Sequence, residues 1–188
     1  MSEDRMPAIP VDRLSDAQKQ AAAEFTAGRG YAVRGPFAVM LRSPEVMLRA
    51  KAMGDYVRFK SSIPPRLNEL AILITARQWT QNYEWQAHRP LGEKAGLQGA
   101  ITQAIAEGRR PAGMAADEEV VYDFCTELHA NKGVSDGTYR RALERFGEQG
   151  IVDLVAANGY YAFNAMMLNV ARSALPAGAK PELRPFPH

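Results

Sequence analysis

Apolar positions recur along this chain at three- and four-residue spacing, and the interruptions between them carry helix caps. Ser15 predicts a cap for a helix from Asp16 to Ala27, with Gly28 and Gly30 ending it. A glycine-containing loop leads to Pro36 and a short helical piece reaching Leu41. Ser43 then Pro44 reads as a cap with proline at the first helical position, opening a helix to Lys60 with Val46, Ala50, Met53 and Val57 on one stripe. After the break at Ser62 to Pro64, Pro65 opens a helix to Trp79 whose stripe is Leu67, Leu70, Ala71 and Ile74.

The second half repeats the pattern. Thr80, Gln81 and Asn82 precede a helix to Ala95, closed by Gly96, and a shorter helix covers Gln98 to Glu107. A basic loop, Gly108 to Gly113, leads to a helix from Asp117 to Ala130, whose first turn holds Asp117, Glu118 and Glu119 at the positive end of the dipole. Ser135 and Asp136 start another helix to Phe146, and Gly147 separates it from a long final helix, Gln149 to Ser173. No extended alternating pattern interrupts this series, so the fold class is all-α with short connections.

The final helix is apolar on almost every side, which places it at the centre of the bundle or also at a contact between copies; a homo-oligomer is expected. Its longest apolar run, Leu154 to Val170, is broken by Asn158, Asn164 and Asn169, and falls short of the ~18 uncharged apolar residues that span a bilayer, so no membrane partner is expected. The chain divides into an N-terminal helical extension (1–35), a helical domain (36–173) and a proline-rich C-terminal tail (174–188). Pro176, Pro181, Pro185 and Pro187 exclude helix from that tail, leaving a disordered end or an arm laid on a neighbouring surface.

Composition narrows the function. The 188 residues suit one domain, and 46% apolar with 23% charged residues is ordinary for a packed core. The net charge of +2 comes from nearly balanced signs and gives no basis for nucleic-acid binding. Met1 to Pro10 holds Glu3, Asp4 and Arg5 and no apolar block, so it reads as no export signal; with one cysteine, a cytoplasmic location is expected. A single cysteine, Cys125, cannot form an internal disulfide, a cysteine-pair zinc site or a dithiol redox centre; its position between Phe124 and Leu128 suggests a small buried hydrophobe. No metal constellation is visible, and Gly28-Arg29-Gly30 lacks the context of a phosphate loop. His129, near a helix C-terminus, reads as structural, and His188 as a solvated terminus.

The unusual chemistry lies between Trp79 and Pro90, which holds both tryptophans, Tyr83, Glu84 and His88. Glu84 and His88 are four residues apart and share a helix face at about 6 Å. A carboxylate there can fix the imidazole tautomer and stabilise its protonated form, while Tyr83 and Trp85 supply apolar walls. The same spacing is common on solvated helix faces, so a structural role stays open beside the functional one. Arg77 could bind a substrate carboxylate or pair structurally, and Tyr160, Tyr161 and Asn164 put polar tips on the final helix, as pocket lining or as satisfied core groups.

The run from Pro64 to Leu97, with Arg66-x-x-Glu69-Leu70, then Glu84-x-x-x-His88, then Ala95-Gly96-Leu97, resembles the carboxymuconolactone decarboxylase family, within the all-α superfamily that also holds the alkylhydroperoxidase D proteins. The likeness continues at Glu118 to Tyr122, at Gly150 to Val155 and at Gly159 to Tyr161, and so spans about Phe37 to Val170. It implies an alkylhydroperoxidase D-like helical bundle. In the peroxidase branch a glutamate precedes a C-x-x-C pair, with a histidine four residues after the second cysteine. Glu69 matches that glutamate and His88 that histidine, while Gln81 and Glu84 occupy the cysteine positions. Dithiol peroxidase chemistry is therefore excluded.

The resemblance to the decarboxylase branch implies a cofactor-free lyase that removes CO₂ from a small unsaturated carboxylated lactone or related acid. His88 is then the acid/base, Glu84 orients it, and Glu69 is a second proton-relay group. Arg77, Tyr83, Trp85, Tyr160, Tyr161 and Asn164 are candidate substrate contacts, with no metal and no cofactor. Another enzyme on the same scaffold (a thiol-independent hydroperoxide-handling enzyme or an isomerase) and a non-enzymatic small-molecule-binding oligomer remain alternatives. Geometry sets one condition: in a straight hairpin turning at Gln81, Glu69 and His88 would be offset by about 8 Å, so contact between them requires a crossing or a bend.

Overall fold

A computed structural model describes residues 4–185. His188 and Pro187 lie outside the described residues. Eight helices follow one another: α1 (Asp16–Arg29), α2 (Pro36–Met40), α3 (Pro44–Phe59), α4 (Pro65–Gln78), α5 (Asn82–Lys94), α6 (Gly99–Ala106), α7 (Ala116–Asn131) and α8 (Asp136–Ala171), with a short 3₁₀ turn at Val11–Arg13. No strand occurs among the described residues.

Ser15 caps its helix as the sequence places it, whereas Ser43 stands at the start of α3 without a side-chain cap hydrogen bond. Ser15 accepts from the Gln18 backbone while the Gln18 side chain accepts from the Ser15 backbone, a reciprocal capping box, and left-handed Gly30 closes α1. Gly147 breaks the last helix as expected, with φ 66° and ψ −179°, although α8 resumes at once and continues to Ala171. One stripe is displaced. The buried face of α3 is Met47, Ala50, Gly54 and Val57, whereas Val46 and Met53 are exposed. Gly54 marks the true inner face because the Tyr160 hydroxyl packs against it; a Cβ there would lie 2.3 Å from that oxygen. A glycine carries no hydropathy signal, so a pattern of apolar letters shifts past it.

Helix α4 is the axis of the bundle. It packs against α5, α7 and α8, and Leu67, Leu70, Ala71 and Leu73 are fully buried. One apolar core joins α4 to α5, α6, α7 and the first part of α8 through Trp85, Ile101, Phe124 and Leu154. A second joins α1, α2 and α3 to the later part of α8 through Phe25, Phe37, Met47 and Tyr161. Buried Asp153 ties the two halves. It accepts from Tyr56 Oη at 3.0 Å and from the Ser62 backbone and hydroxyl, both at 2.7 Å, which pins the α3–α4 turn to α8.

Residues 174–185 form an arm laid on the chain's own α5. Asn82 Oδ1 accepts from the Glu182 and Leu183 backbone at 2.8 and 2.7 Å, and Asn82 Nδ2 donates to Leu183 O at 3.2 Å. Leu183 is buried in the first core, and Trp85 Nε1 donates to Glu182 at 3.1 Å. Among the described residues, no helix is long and apolar enough to cross a membrane.

Candidate active site

The three-residue link between α4 and α5 creates the site. Thr80 takes a left-handed conformation, φ 48°, which reverses the chain within one residue. Gln81 caps α5 by accepting from Tyr83 N at 2.8 Å and donates to Asn169 Oδ1 at 2.7 Å; Asn169 in turn donates to Trp79 O at 3.1 Å. The turn is therefore clamped from α8. Gly92 of α5 packs beside α4 and the Leu97 side chain, where a Cβ would stand 2.9 Å from a Leu97 methyl. The offset of a straight hairpin disappears, and His88 Nδ1 lies 2.7 Å from Glu69 Oε2.

This reverses the expected roles of the two carboxylates. Glu69, nineteen residues away, makes the close hydrogen bond. Glu84, one turn away on the same helix, stands 3.7 Å from His88 Nε2. The i,i+4 geometry brings Glu84 to the other ring nitrogen, so Glu69 is the group that orients the imidazole. With Nδ1 engaged by Glu69, Nε2 is the ring nitrogen nearer Glu84. Burial pushes the Glu84 carboxyl above its ordinary value, against the pull of His88 and Arg58. Its Oε1 is buried and has no hydrogen-bond partner among the described residues.

Glu84 and His88 open into a cavity of about 460 Å³, a size suited to a small ligand. Its walls are Tyr83, Ala87 and Leu91 of α5, Tyr160, Tyr161 and Asn164 of α8, and Pro36, Phe37, Tyr31 and three arginines (Arg29, Arg34 and Arg58) from the N-terminal third. Tyr161 packs edge-on to His88, with ring centroids 4.8 Å apart. Burial pushes the hydroxyls of Tyr83, Tyr160 and Tyr161 up, so they act as neutral hydrogen-bonding groups. Asn164 Oδ1 is buried without a partner.

Two expected contacts lie elsewhere. Trp85 is wholly buried in the first core and its indole N–H serves the C-terminal arm, because the opposite face of α5 from Glu84 and His88 packs inward. Arg77 points to the far end of α4, donating to Arg184 O at 3.0 Å and to Thr80 Oγ1 at 3.3 Å. Neither lines the cavity. His129 is structural, though not as a helix-end cation: it meets Thr75 Oγ1 at 3.1 Å, and burial pulls it down towards the neutral form. Cys125 is buried beside Asn158, and its thiol is pushed up to about 12 by desolvation.

The sequence reading missed the basic roof. Arg29 stacks on Phe25 and Phe37, 5.5 and 5.0 Å from the ring centroids, and pairs with Asp55 at 2.8 Å. Left-handed Gly35 seats the loop against α5, since a Cβ there would meet the Tyr83 ring at 2.6 Å. The available signal was the clustering of Arg29, Gly30, Arg34, Gly35 and Pro36 before a buried aromatic, which marks a close backbone approach but names no partner.

No family model matches the chain, and no curated protein matches it. Among solved structures, it is similar to the debrominase Bmp8, in a cysteine-to-alanine variant bound to 2,3,4-tribromopyrrole, with a TM-score of 0.67 over 94% of each chain at 12% identity. The fold is an alkylhydroperoxidase D-like helical bundle. On this bundle the Glu69–His88–Glu84 array sits where α4 and α5 meet under the N-terminal roof. Among the described residues, no cluster of three or more His, Cys, Asp or Glu side chains is arranged to hold a metal ion.

Proposed function

We propose that this protein is a cofactor-independent carboxymuconolactone decarboxylase-like lyase, acting on a small unsaturated carboxylated lactone or related acid. The observation that carries this reading is the His88 imidazole, held at Nδ1 by Glu69 and presented at Nε2 to Glu84 at the wall of a small-molecule cavity. Cleavage of the bond to the carboxylate releases CO₂, and the electron pair moves into the unsaturated lactone. His88 Nε2–H then delivers a proton to the carbon that takes up that charge. Glu69 holds the ring in place, and Glu84, whose ionised form is disfavoured by burial, resupplies the proton. The aromatic lining favours loss of the substrate's charge.

The debrominase of the same fold was solved with a small ring compound, of a size this cavity admits. Replacing ring bromine by hydrogen needs two electrons as well as a proton, and the chain's one thiol is buried away from the cavity. Proton transfer is therefore the better reading. Purified protein is to be offered a panel of carboxylated lactones and unsaturated acids, with CO₂ release, peroxide consumption and halide release measured in parallel. CO₂ release alone supports the proposal; peroxide or halide turnover without CO₂ contradicts it.

The same reading includes self-association in a reducing cytoplasm, where a lone cysteine is ordinary. Val152, Val155, Met166 and Val170 form an exposed stripe on α8 next to exposed Val46 and Met53. No charged residue occurs between Leu154 and Ala171, so the stripe can meet a copy of itself without like-charge repulsion. Light scattering should show an oligomer that Val155→Asp with Met166→Asp converts to a monomer; a monomeric native protein contradicts self-association.

A further inference from the structure

We infer that Arg58 is the receptor for a carboxylate on the ligand of this cavity; this rests on the reading that the cavity binds a small unsaturated acid. The three arginines around the cavity are not equivalent. Arg29 is committed to Asp55 and Tyr31 and is stacked between two phenylalanines. Arg34 is exposed at the rim, stacked over Tyr31 at 4.4 Å. Arg58 is half-buried, near the end of α3, and lines the cavity together with Glu84 and His88. Its guanidinium carbon lies 5.0 Å from the centroid of the Phe59 ring. Among the described residues its guanidinium makes no hydrogen bond and no ion pair.

A half-buried guanidinium with N–H donors and no acceptor is ready for a bidentate anion. The rest of the cavity explains why an internal carboxylate does not take that place. Arg58 acts on Glu84 through space without contacting it, so a gap separates the cation from the proton-transfer array. Glu84 and Asn164 line the same cavity, and each holds a buried side-chain oxygen with no hydrogen-bond partner among the described residues. Between them, Tyr83, Tyr160 and Tyr161 offer flat walls. The ligand class is a small planar acid: a carboxylate at Arg58, an unsaturated body against the tyrosines, and the reacting carbon at His88. Arg77, for which the sequence left substrate binding and structural pairing equally open, donates to the C-terminal arm at Arg184 O.

The test is calorimetric titration with benzoate, 2-furoate and sorbate, each paired with its amide, at up to millimolar concentration. Wild-type protein should bind at least one acid and bind its amide about tenfold more weakly or worse. Arg58→Met should weaken the acid by a similar factor and leave the amide unchanged, while Arg58→Lys, which keeps the charge but not the fork, should retain part of the affinity. Circular dichroism confirms the fold of each variant, and Arg58→Lys stands in if Arg58→Met does not fold. No binding by any acid, equal binding of acid and amide, or full affinity in a folded Arg58→Met protein overturns the assignment. Arg58-dependent acid binding without CO₂ release would contradict the reaction while leaving this receptor in place; CO₂ release with an unchanged KM in Arg58→Met would do the reverse.

Discussion

His88 Nδ1 lies 2.7 Å from Glu69 Oε2, across the α4–α5 crossing, whereas Glu84 on His88's own helix stands 3.7 Å from Nε2. The imidazole is thus addressed at both nitrogens by carboxylates that differ in task. Glu69 holds the ring across the crossing, and Glu84 stands beside its other nitrogen. Removing the negative charge while keeping the shape should separate these tasks. Glu69→Gln is expected to fold and to lower kcat by about 10² to 10⁴ with little change in KM. Steady-state kinetics beside a thermal melt checks this; a normal kcat in a folded variant contradicts the orienting role.

Glu84 should leave a mark on the pH dependence of stability. Its folded carboxyl is pushed above the unfolded value, about 4.3, by burial. The native state therefore keeps its proton longer than the unfolded chain, and this contribution to stability is full at low pH and lost as pH rises through the raised value. Urea midpoints measured from about pH 4 to pH 8 should show Glu84→Gln gaining on the wild type as pH rises. A constant difference across that range contradicts a raised Glu84.

Asp153 should behave in the opposite sense. Burial alone would raise its carboxyl, but the Ser62 backbone and hydroxyl, Tyr56 and Ser61 donate to it and hold it below the ordinary range. Its contribution is then present above about pH 3.9 and lost as pH falls through the lower folded value. Asp153→Ala should cost about 2–4 kcal/mol at neutral pH, with the gap to wild type narrowing in acid. Chemical denaturation of the two proteins measures this directly.

The C-terminal arm hangs on one side chain. Asn82 makes three hydrogen bonds to the Glu182–Leu183 backbone. Asn82→Ala should lower stability by about 1–3 kcal/mol and raise amide exchange at Leu183, with Trp85 losing its order beside Glu182. Unchanged exchange at Leu183 would show that burial of its side chain alone holds the arm.

The helices were legible because their signals are local. Ser15, Pro44, Pro65, Gly96 and Gly147 each act on the few residues around them, and the apolar stripe of α4 falls where its spacing puts it. The pairing of Glu84 with His88 was legible for the same reason. What escaped was the consequence of crossing two helices. The Glu69–His88 contact forms across a turn with a left-handed Thr80 and a clamp from Asn169, neither of which has a hydropathy signature. The fate of Arg77 and Trp85 depended on an arm about a hundred residues further on, and Arg58 reaches the cavity from α3, a tertiary placement that local spacing does not carry.

The central claim is that His88 moves the proton in a decarboxylation. Its most direct test is the rate of CO₂ release by wild type and by folded His88→Ala protein on an acid that the wild type turns over, run in deuterated water to follow label entering the product carbon. The account predicts one deuterium at the carbon that takes up the electron pair, and a fall of about 10² or more in the variant's rate. A variant that releases CO₂ at the wild-type rate would contradict it.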